Sequence, residues 1–187
     1  MENLSTLLKT RKTVFSFQEV KYFLKIPTDA GTKSFLQRAK ANGSLGNPYK
    51  GYWTLPNYDP MELACKIKKN AYISCETVLF KEGVFFQFYG NTFSCASDDS
   101  RSYTIDGRNF PYYKIKTSIL HNPIGIRQYD NYRIATPERA LCDFVYLYPR
   151  ASIDAPESIN KVRLKQILPI YPRQTALYIQ KLLDVEY

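Results

Sequence analysis

Apolar residues recur at helical spacing in the first third of the chain and predict two short helices there. The first is predicted over residues 3–10. The second follows a capping box, in which the Ser16 hydroxyl can accept a hydrogen bond from the Glu19 amide while the Glu19 carboxylate accepts one from the Ser16 amide. This helix is expected to end near Lys25, because Pro27 disfavours helical geometry in the residue before it.

A third helix is predicted to have one apolar and one polar side. It begins from a cap at Thr28 or Asp29 and runs to about Ala41. At 100° per residue, the apolar side consists of Thr32, Phe35, Leu36 and Ala39, and the polar side of Lys33, Ser34, Gln37 and Arg38. Arg pairs with guanine, Gln with adenine, and Lys or Ser with phosphate. The polar side is therefore typical of a helix that contacts a major groove, and equally of an ordinary solvated helix.

A two-stranded hairpin is predicted next, in the segment GSLGNPYKGYWTLP at residues 43–56. The turn-forming residues that predict its tip are Gly46, Asn47, Pro48 and Gly51. Tyr49 and Lys50 then lie at the tip, while Trp53 and Leu55 are expected to pack back on the helices. Helix, helix, short turn, basic helix and hairpin form the layout of a winged helix-turn-helix, whose wing lies along the sugar–phosphate backbone.

Residues 58–187 are predicted to form a second domain, beginning within the proline-bounded segment PNYDP. Residues 84–116 are rich in aromatic and β-branched side chains and predict a mainly antiparallel sheet, with a hairpin turn at Asp106-Gly107. The predicted fold class is α+β: an N-terminal winged helix-turn-helix over residues 1–57, then a mixed domain with an antiparallel sheet and flanking helices.

The flanking helices of the second domain have clear start and stop signals. Ser74 is predicted to cap a helix that ends at Gly83, and Thr136 to cap another. Two further helices are predicted over about 160–168 and 173–183.

The charge of the chain is uneven, although its net value is only +9. Residues 1–57 contain nine Lys and Arg against three Asp and Glu, which is two thirds of the net charge in the first third of the chain. This asymmetry predicts a polyanion-binding end, with Lys12, Lys21 and Lys40 as outer DNA contacts. The alternative is a lysine-rich surface that serves solubility, on a winged helix that binds protein.

Little in the sequence is typical of an enzyme. His121 is the single histidine, which excludes His-based metal clusters. The four cysteines are dispersed without a C-x-x-C pair and are predicted to be reduced, and no G-K-[ST] phosphate loop is present. We therefore predict no catalytic residue, no metal ligand and no cofactor.

Acidic residues of the second domain allow one enzymatic alternative, a metal-dependent nuclease. Its candidate residues are Asp98, Asp99, Asp106 and Lys114 or Lys116. The usual carboxylate-x-lysine spacing is missing, so solvated turn acids are the favoured interpretation. Glu138, Arg139 and Asp143 are likewise interpreted as helix-start residues with a weak i,i+4 pair.

Four segments, in this order and spacing, resemble the AbiEi-type antitoxins of abortive-infection, or type IV, toxin–antitoxin systems. They are GYWTLP at 51–56, DPMELACKI at 59–67, YISCETVLFKEG at 72–83 and IATPERALCD at 134–143. Val78 departs from the pattern, since the family has alanine there, and the wing segment is spaced slightly differently.

The resemblance implies a bacterial antitoxin and transcriptional repressor that autoregulates its operon by binding double-stranded DNA at inverted repeats in its own promoter. It also implies a C-terminal domain that counteracts a nucleotidyltransferase-like toxin, for which a stable complex between the two proteins is not required. Other members of the fold family are free-standing regulators, which is the alternative. The chain has no run of 18 apolar residues and no signal-peptide layout, so we expect a cytoplasmic protein with no membrane partner.

Overall fold

The computed structural model describes residues 2–87 and 89–184. The chain divides into two compact units, Met1–Lys66 (unit 1) and Ile67–Tyr187 (unit 2). Each unit combines helices with its own β-sheet. The predicted α+β fold class is therefore confirmed.

Unit 1 contains helices and strands that alternate along the chain. In order they are α1 (Glu2–Leu8), β1 (Val14–Ser16), α2 (Phe17–Phe23), α3 (Asp29–Ala41), β2 (Gly46–Tyr49), β3 (Tyr52–Thr54) and α4 (Pro60–Ile67), whose last residue belongs to unit 2. The three strands form an antiparallel sheet in the order β1-β3-β2. Helices α1, α2 and α3 lie where the sequence predicts them, whereas β1 was not predicted, because a three-residue strand leaves no periodic signal.

The hairpin of unit 1 has a tighter tip than the sequence predicts. Tyr49 pairs with Tyr52, so the loop consists of Lys50 and Gly51 alone, with Gly51 at a φ of 87° that favours glycine. Four residues predicted for the tip lie in β2 instead: Gly46, Asn47, Pro48 and Tyr49. The Asn47 side-chain amide donates to the Tyr52 carbonyl at 2.7 Å, and this bond keeps the irregular strand paired.

The core of unit 1 lies between its helices and its sheet. Its buried members are Leu7, Phe15, Val20, Leu36, Ala39 and Leu45. Trp53 and Leu55 pack against this cluster, as predicted. Full burial of such a side chain stabilises the fold by about 1.5–3 kcal/mol. The packing of the helices on the sheet therefore determines the geometry of unit 1.

The division between the units falls nine residues after the predicted boundary between 57 and 58, because α4 is bonded to unit 1. The buried Glu62 side chain accepts hydrogen bonds from the Thr13 amide at 2.8 Å and the Thr13 hydroxyl at 2.7 Å. Lys66 forms a salt bridge with Glu19 at 2.6 Å. Both contacts join residues far apart in sequence, so the proline-bounded segment PNYDP, which set the predicted boundary, does not reveal them.

Unit 2 contains a six-stranded sheet with helices around it. Its elements are β4 (Tyr72–Ile73), α5 (Cys75–Lys81), β5 (Cys95–Ser97), β6 (Arg101–Ile105), β7 (Arg108–Lys114), α6 (Thr117–Leu120), β8 (Ile126–Tyr129), β9 (Tyr132–Ala135), α7 (Pro137–Leu147), α8 (Lys161–Ile167) and α9 (Arg173–Leu183). The strand order is β6-β7-β5-β4-β9-β8. The predicted helices after Ser74, after Thr136 and at the end of the chain are all present.

The sheet of unit 2 is mixed. The pairs β4–β5, β6–β7 and β8–β9 are antiparallel, whereas β4–β9 and β5–β7 are parallel. The hairpin turn at Asp106-Gly107 is confirmed. Residues 84–87 form no strand, and Phe88, within the predicted sheet region, lies outside the described residues.

Candidate nucleic-acid interface

Helix α3 has the two faces that its sequence predicts. Its buried residues are Thr32, Leu36 and Ala39, and its exposed ones include Lys33, Ser34, Gln37, Arg38 and Lys40. The threonine at the start of this helix, Thr28, accepts a hydrogen bond from the Gly31 amide at 3.1 Å and so caps its first turn. One side of α3 is thus fixed in the core, and the opposite side presents cations, a hydroxyl and an amide to solvent.

The cations of α3 form no ion pair within salt-bridge distance in the described part of the chain, although the charge of Lys33 contributes to the lowered pKa of Asp29. Lys33, Arg38 and Lys40 form no salt bridge there. The Arg38 Nε donates to the Ser34 carbonyl at 3.3 Å, one turn earlier on the same helix. These side chains are therefore available to an anionic ligand.

The hairpin tip presents one further cation. Lys50 is exposed in the two-residue loop, while Tyr49 is half-buried with its ring centroid 6.3 Å from that of Tyr52. Lys50 is thus the more accessible of the two predicted tip residues.

Two of the predicted outer contacts are already paired. The Lys21 ammonium lies 2.6 Å from Asp29 and lowers the pKa of that carboxyl by its hydrogen bond and its charge. Lys12 lies 2.7 Å from Glu19. Lys40 is exposed. Of the three, Lys40 alone lies on the exposed side of α3 and forms no salt bridge among the described residues.

Glu19 is the centre of a cluster that the sequence predicts only in part. The capping box with Ser16 is confirmed, with the Ser16 amide 2.8 Å and the Ser16 hydroxyl 3.2 Å from their Glu19 partners. The same carboxylate also accepts from Lys12 and Lys66. Burial by itself would raise the pKa of Glu19, but the hydrogen bonds from the two lysines lower it to about 2. Glu19 is therefore ionised and forms salt bridges with both Lys12 and Lys66.

Unit 2 contains a second polar cluster, and it is closed to solvent. Asp143 accepts from Tyr72 at 2.8 Å, from Ser74 at 2.7 Å and from Tyr171 at 2.6 Å. Its Oδ1 lies 3.5 Å from the Arg139 Nε, and both side chains are 0% exposed. The predicted i,i+4 pair of Arg139 and Asp143 is therefore present, but it is a buried pair within a hydrogen-bonded cluster and not a weak one, because β4 and the segment before α9 cover it. The Ser74 hydroxyl bonds to Asp143 and does not cap α5.

Arg139 connects this cluster to the segment that precedes β8. It donates to the carbonyls of Ile119 at 2.6 Å and Ile124 at 2.9 Å, and to the Tyr72 hydroxyl at 3.0 Å. A Cβ added at Gly125 would lie 2.8 Å from the Arg139 Cβ. Burial raises the pKa of Asp143, against the lowering effect of Arg139 and of the hydrogen bonds. Because Arg139 and Asp143 are both fully buried, the cluster offers no charged group to a ligand and instead joins separate elements of unit 2.

The acids proposed for a nuclease do not form one group. Asp99 forms salt bridges with Lys68 at 2.8 Å and Arg101 at 3.1 Å, next to the start of β6. Asp106 lies at the opposite end of β6, in the hairpin turn. Among residues 2–87 and 89–184, no group of three or more His, Cys, Asp or Glu could hold a metal ion.

Comparison with family models and with curated proteins gives no match. Among solved structures, the chain is similar to the RV2827C protein from Mycobacterium tuberculosis, with a TM-score of 0.59 and 15% identity. The similarity covers 97% of this chain and 74% of that one, and at this identity it concerns the fold alone. Within the described residues, no helix is both long and apolar enough to cross a bilayer.

Proposed function

We propose that unit 1 binds double-stranded DNA as a winged helix-turn-helix, with α3 in the major groove and the β2–β3 hairpin as the wing. The observation that carries the proposal is the exposed side of α3, where Lys33, Arg38 and Lys40 form no salt bridge among the described residues. The order α1, β1, α2, α3, β2, β3 supports it, since winged helices have this order. With 13 residues, α3 is about 20 Å long, enough to follow a major groove.

Roles within this interface follow from the chemistry of each side chain. Arg38 and Gln37 can pair with base edges, whereas Lys33 and Ser34 can contact either bases or phosphates. The cations and the aromatic residue at the margins would bind the backbone: Lys40, Tyr49 and Lys50. Lys12 and Lys21 are paired with carboxylates, so we expect no phosphate contact from either lysine while its salt bridge is intact.

The charge of unit 1 agrees with this assignment. It contains ten Lys and Arg against five Asp and Glu. Two of these acids, Glu19 and Asp29, form salt bridges with Lys12, Lys66 and Lys21, none of which lies on α3 or at the hairpin tip. These salt bridges therefore leave the four cations of α3 and the hairpin tip for a polyanion.

For the whole chain, we propose an antitoxin that represses its own operon and counteracts a nucleotidyltransferase-like toxin. The four AbiEi-like segments support this biological role, and the surface of unit 1 supports the DNA-binding half of it. A free-standing regulator would use the same interface without a toxin. Co-expression with the neighbouring gene distinguishes the two, because an antitoxin restores growth and a free-standing regulator does not.

The DNA-binding proposal is tested by titrating the full chain into labelled DNA from upstream of its own gene, with a scrambled duplex for comparison, at two salt concentrations. We expect selective binding that weakens steeply with salt. Lys33→Ala should weaken it, whereas the matched control Lys165→Ala, on an exposed position of α8, should not. Binding that shows neither a preference for the operator duplex nor any weakening with salt would contradict the proposal and favour a protein-interaction module.

The nuclease alternative has a simple separate test. The chain is incubated with duplex DNA and either magnesium or manganese, and the DNA is then examined on a denaturing gel. We expect intact DNA, since the acids of unit 2 lie apart. Cleavage that Asp99→Asn abolishes would establish the nuclease.

A further inference from the structure

Two lysines of unit 1 share a single carboxylate. Glu19 accepts from Lys12 through Oε1 at 2.7 Å and from Lys66 through Oε2 at 2.6 Å. Lys12 precedes β1, Glu19 lies in the first turn of α2, and Lys66 lies in the last turn of α4. The contact thus joins three separate parts of the unit proposed to bind DNA.

The cluster is accessible enough to exchange its partners. The side chains of Glu19 and Lys12 are 24% and 31% exposed, so neither is sealed in the core. The Lys12 ammonium also lies 5.7 Å from the centroid of the Phe23 ring, which keeps it near the surface of α2. A DNA phosphate offers ammonium groups the same kind of charged oxygen acceptor that Glu19 offers.

We propose that Glu19 restrains DNA binding, because its ion pairs with Lys12 and Lys66 keep these two lysines from pairing with backbone phosphates. This inference rests on the proposed DNA-binding function of unit 1. Backbone phosphates are the same in every sequence, so a carboxylate that occupies two lysines weakens non-specific binding more than binding to the operator. Glu19 would thereby increase selectivity, while α3 supplies the base contacts.

The decisive experiment compares the wild-type chain with Glu19→Gln on the operator duplex and the scrambled duplex across a salt series. Glutamine keeps a side-chain oxygen for the Ser16 amide but removes the charge. We expect the slope of log K against log salt to become steeper by about one to two, corresponding to one or two additional phosphate contacts. Affinity for the scrambled duplex should rise more than affinity for the operator.

Two further variants separate the charge of Glu19 from its capping role. Ser16→Ala removes the capping hydroxyl and keeps the carboxylate, so its salt slope should equal that of the wild type. Lys12→Met should also leave the wild-type slope unchanged, because Lys12 is held by Glu19. In the Glu19→Gln background, Lys12→Met should reverse the slope change by about one.

The outcomes distinguish the inference from the function on which it rests. A wild-type chain without salt-sensitive DNA binding contradicts both. Selective wild-type binding together with a folded Glu19→Gln variant of unchanged slope overturns the inference alone. If Glu19→Gln does not fold, the single variant Lys12→Met still tests the restraint: a slope flatter by about one would show that Lys12 already contacts a phosphate in the wild type and would overturn it.

Discussion

Helices α3 and α7 each have an arginine four residues from a polar side chain, but the two pairs lie in opposite environments. On α3, Ser34 and Arg38 are exposed. On α7, Arg139 and Asp143 are completely buried and bonded to residues of other elements. The same spacing therefore yields a solvated surface in one unit and an internal ion pair in the other.

The difference arises from what covers the polar side of each helix. Only the apolar side of α3 packs into the core of unit 1. In unit 2, Tyr72 of β4 and Tyr171 before α9 cover the polar side of α7. A buried charge must be paired and hydrogen-bonded, so α7 substitutions should act on stability and α3 substitutions on binding.

The largest expected effect is that of Asp143→Asn. It removes the charge that compensates the buried Arg139, so we expect unit 2 to lose about 3–5 kcal/mol of stability. Urea unfolding followed by far-UV circular dichroism measures this loss. The control Asp98→Asn lies at an exposed position and should change stability by less than about 0.5 kcal/mol. A loss for Asp143→Asn as small as the control's would remove the contrast between the two helices.

Next is Gly125→Ala, which tests how tightly the segment before β8 packs on Arg139. The new Cβ would lie 2.8 Å from the Arg139 Cβ and 2.9 Å from the Ile167 Cδ1, at a φ of 78°. We expect a loss of about 2–4 kcal/mol from strain and overpacking. Gly107→Ala has a similar φ of 70° but nothing within 4 Å, so it should cost only about 1 kcal/mol. Equal melting temperatures of the two variants would contradict the prediction.

On α3, Arg38→Ala should leave stability unchanged and weaken operator binding. A bidentate contact with a base is worth about 1–3 kcal/mol, and its loss should also relax selectivity at that base pair. Fluorescence anisotropy with single-base operator variants measures both effects. A uniform loss on all duplexes would instead assign Arg38 to the phosphate backbone.

Lys50→Ala should have a smaller and sequence-independent effect. Lys50 lies at the hairpin tip, where a phosphate contact is expected, so the salt slope should flatten by about one on every duplex. The same anisotropy titration, repeated at several salt concentrations, provides the slope. Selectivity that falls together with the slope would indicate a base contact by the wing.

The smallest effect concerns pH. Because the pKa of Glu19 falls from its ordinary 4.5 to about 2 in the folded chain, its stabilising contribution is complete above about pH 4.5 and is lost as the pH falls toward 2. Thermal unfolding of the wild type and Glu19→Gln should therefore differ more at pH 6 than at pH 3. A constant difference would show that Glu19 acts as a neutral hydrogen-bond partner.

Local signals predicted much of unit 1 and several elements of unit 2. The Ser16–Glu19 box, the Thr28 cap and the two faces of α3 depend on neighbours within a turn, as does the Thr136 cap of α7. Such features are encoded by spacing and need no distant partner. The hairpin tip was misplaced because glycine and proline mark both turns and irregular edge strands.

By itself, the sequence determined the helices of unit 1, the polar side of α3 and the excess of positive charge near the start of the chain. Only the tertiary structure decided that Arg139 and Asp143 are buried, that Glu62 binds Thr13, and that Glu19 holds Lys66. These contacts join residues between four and 49 positions apart. Their environment depends on which strand or loop packs over each side chain, and no local pattern specifies that.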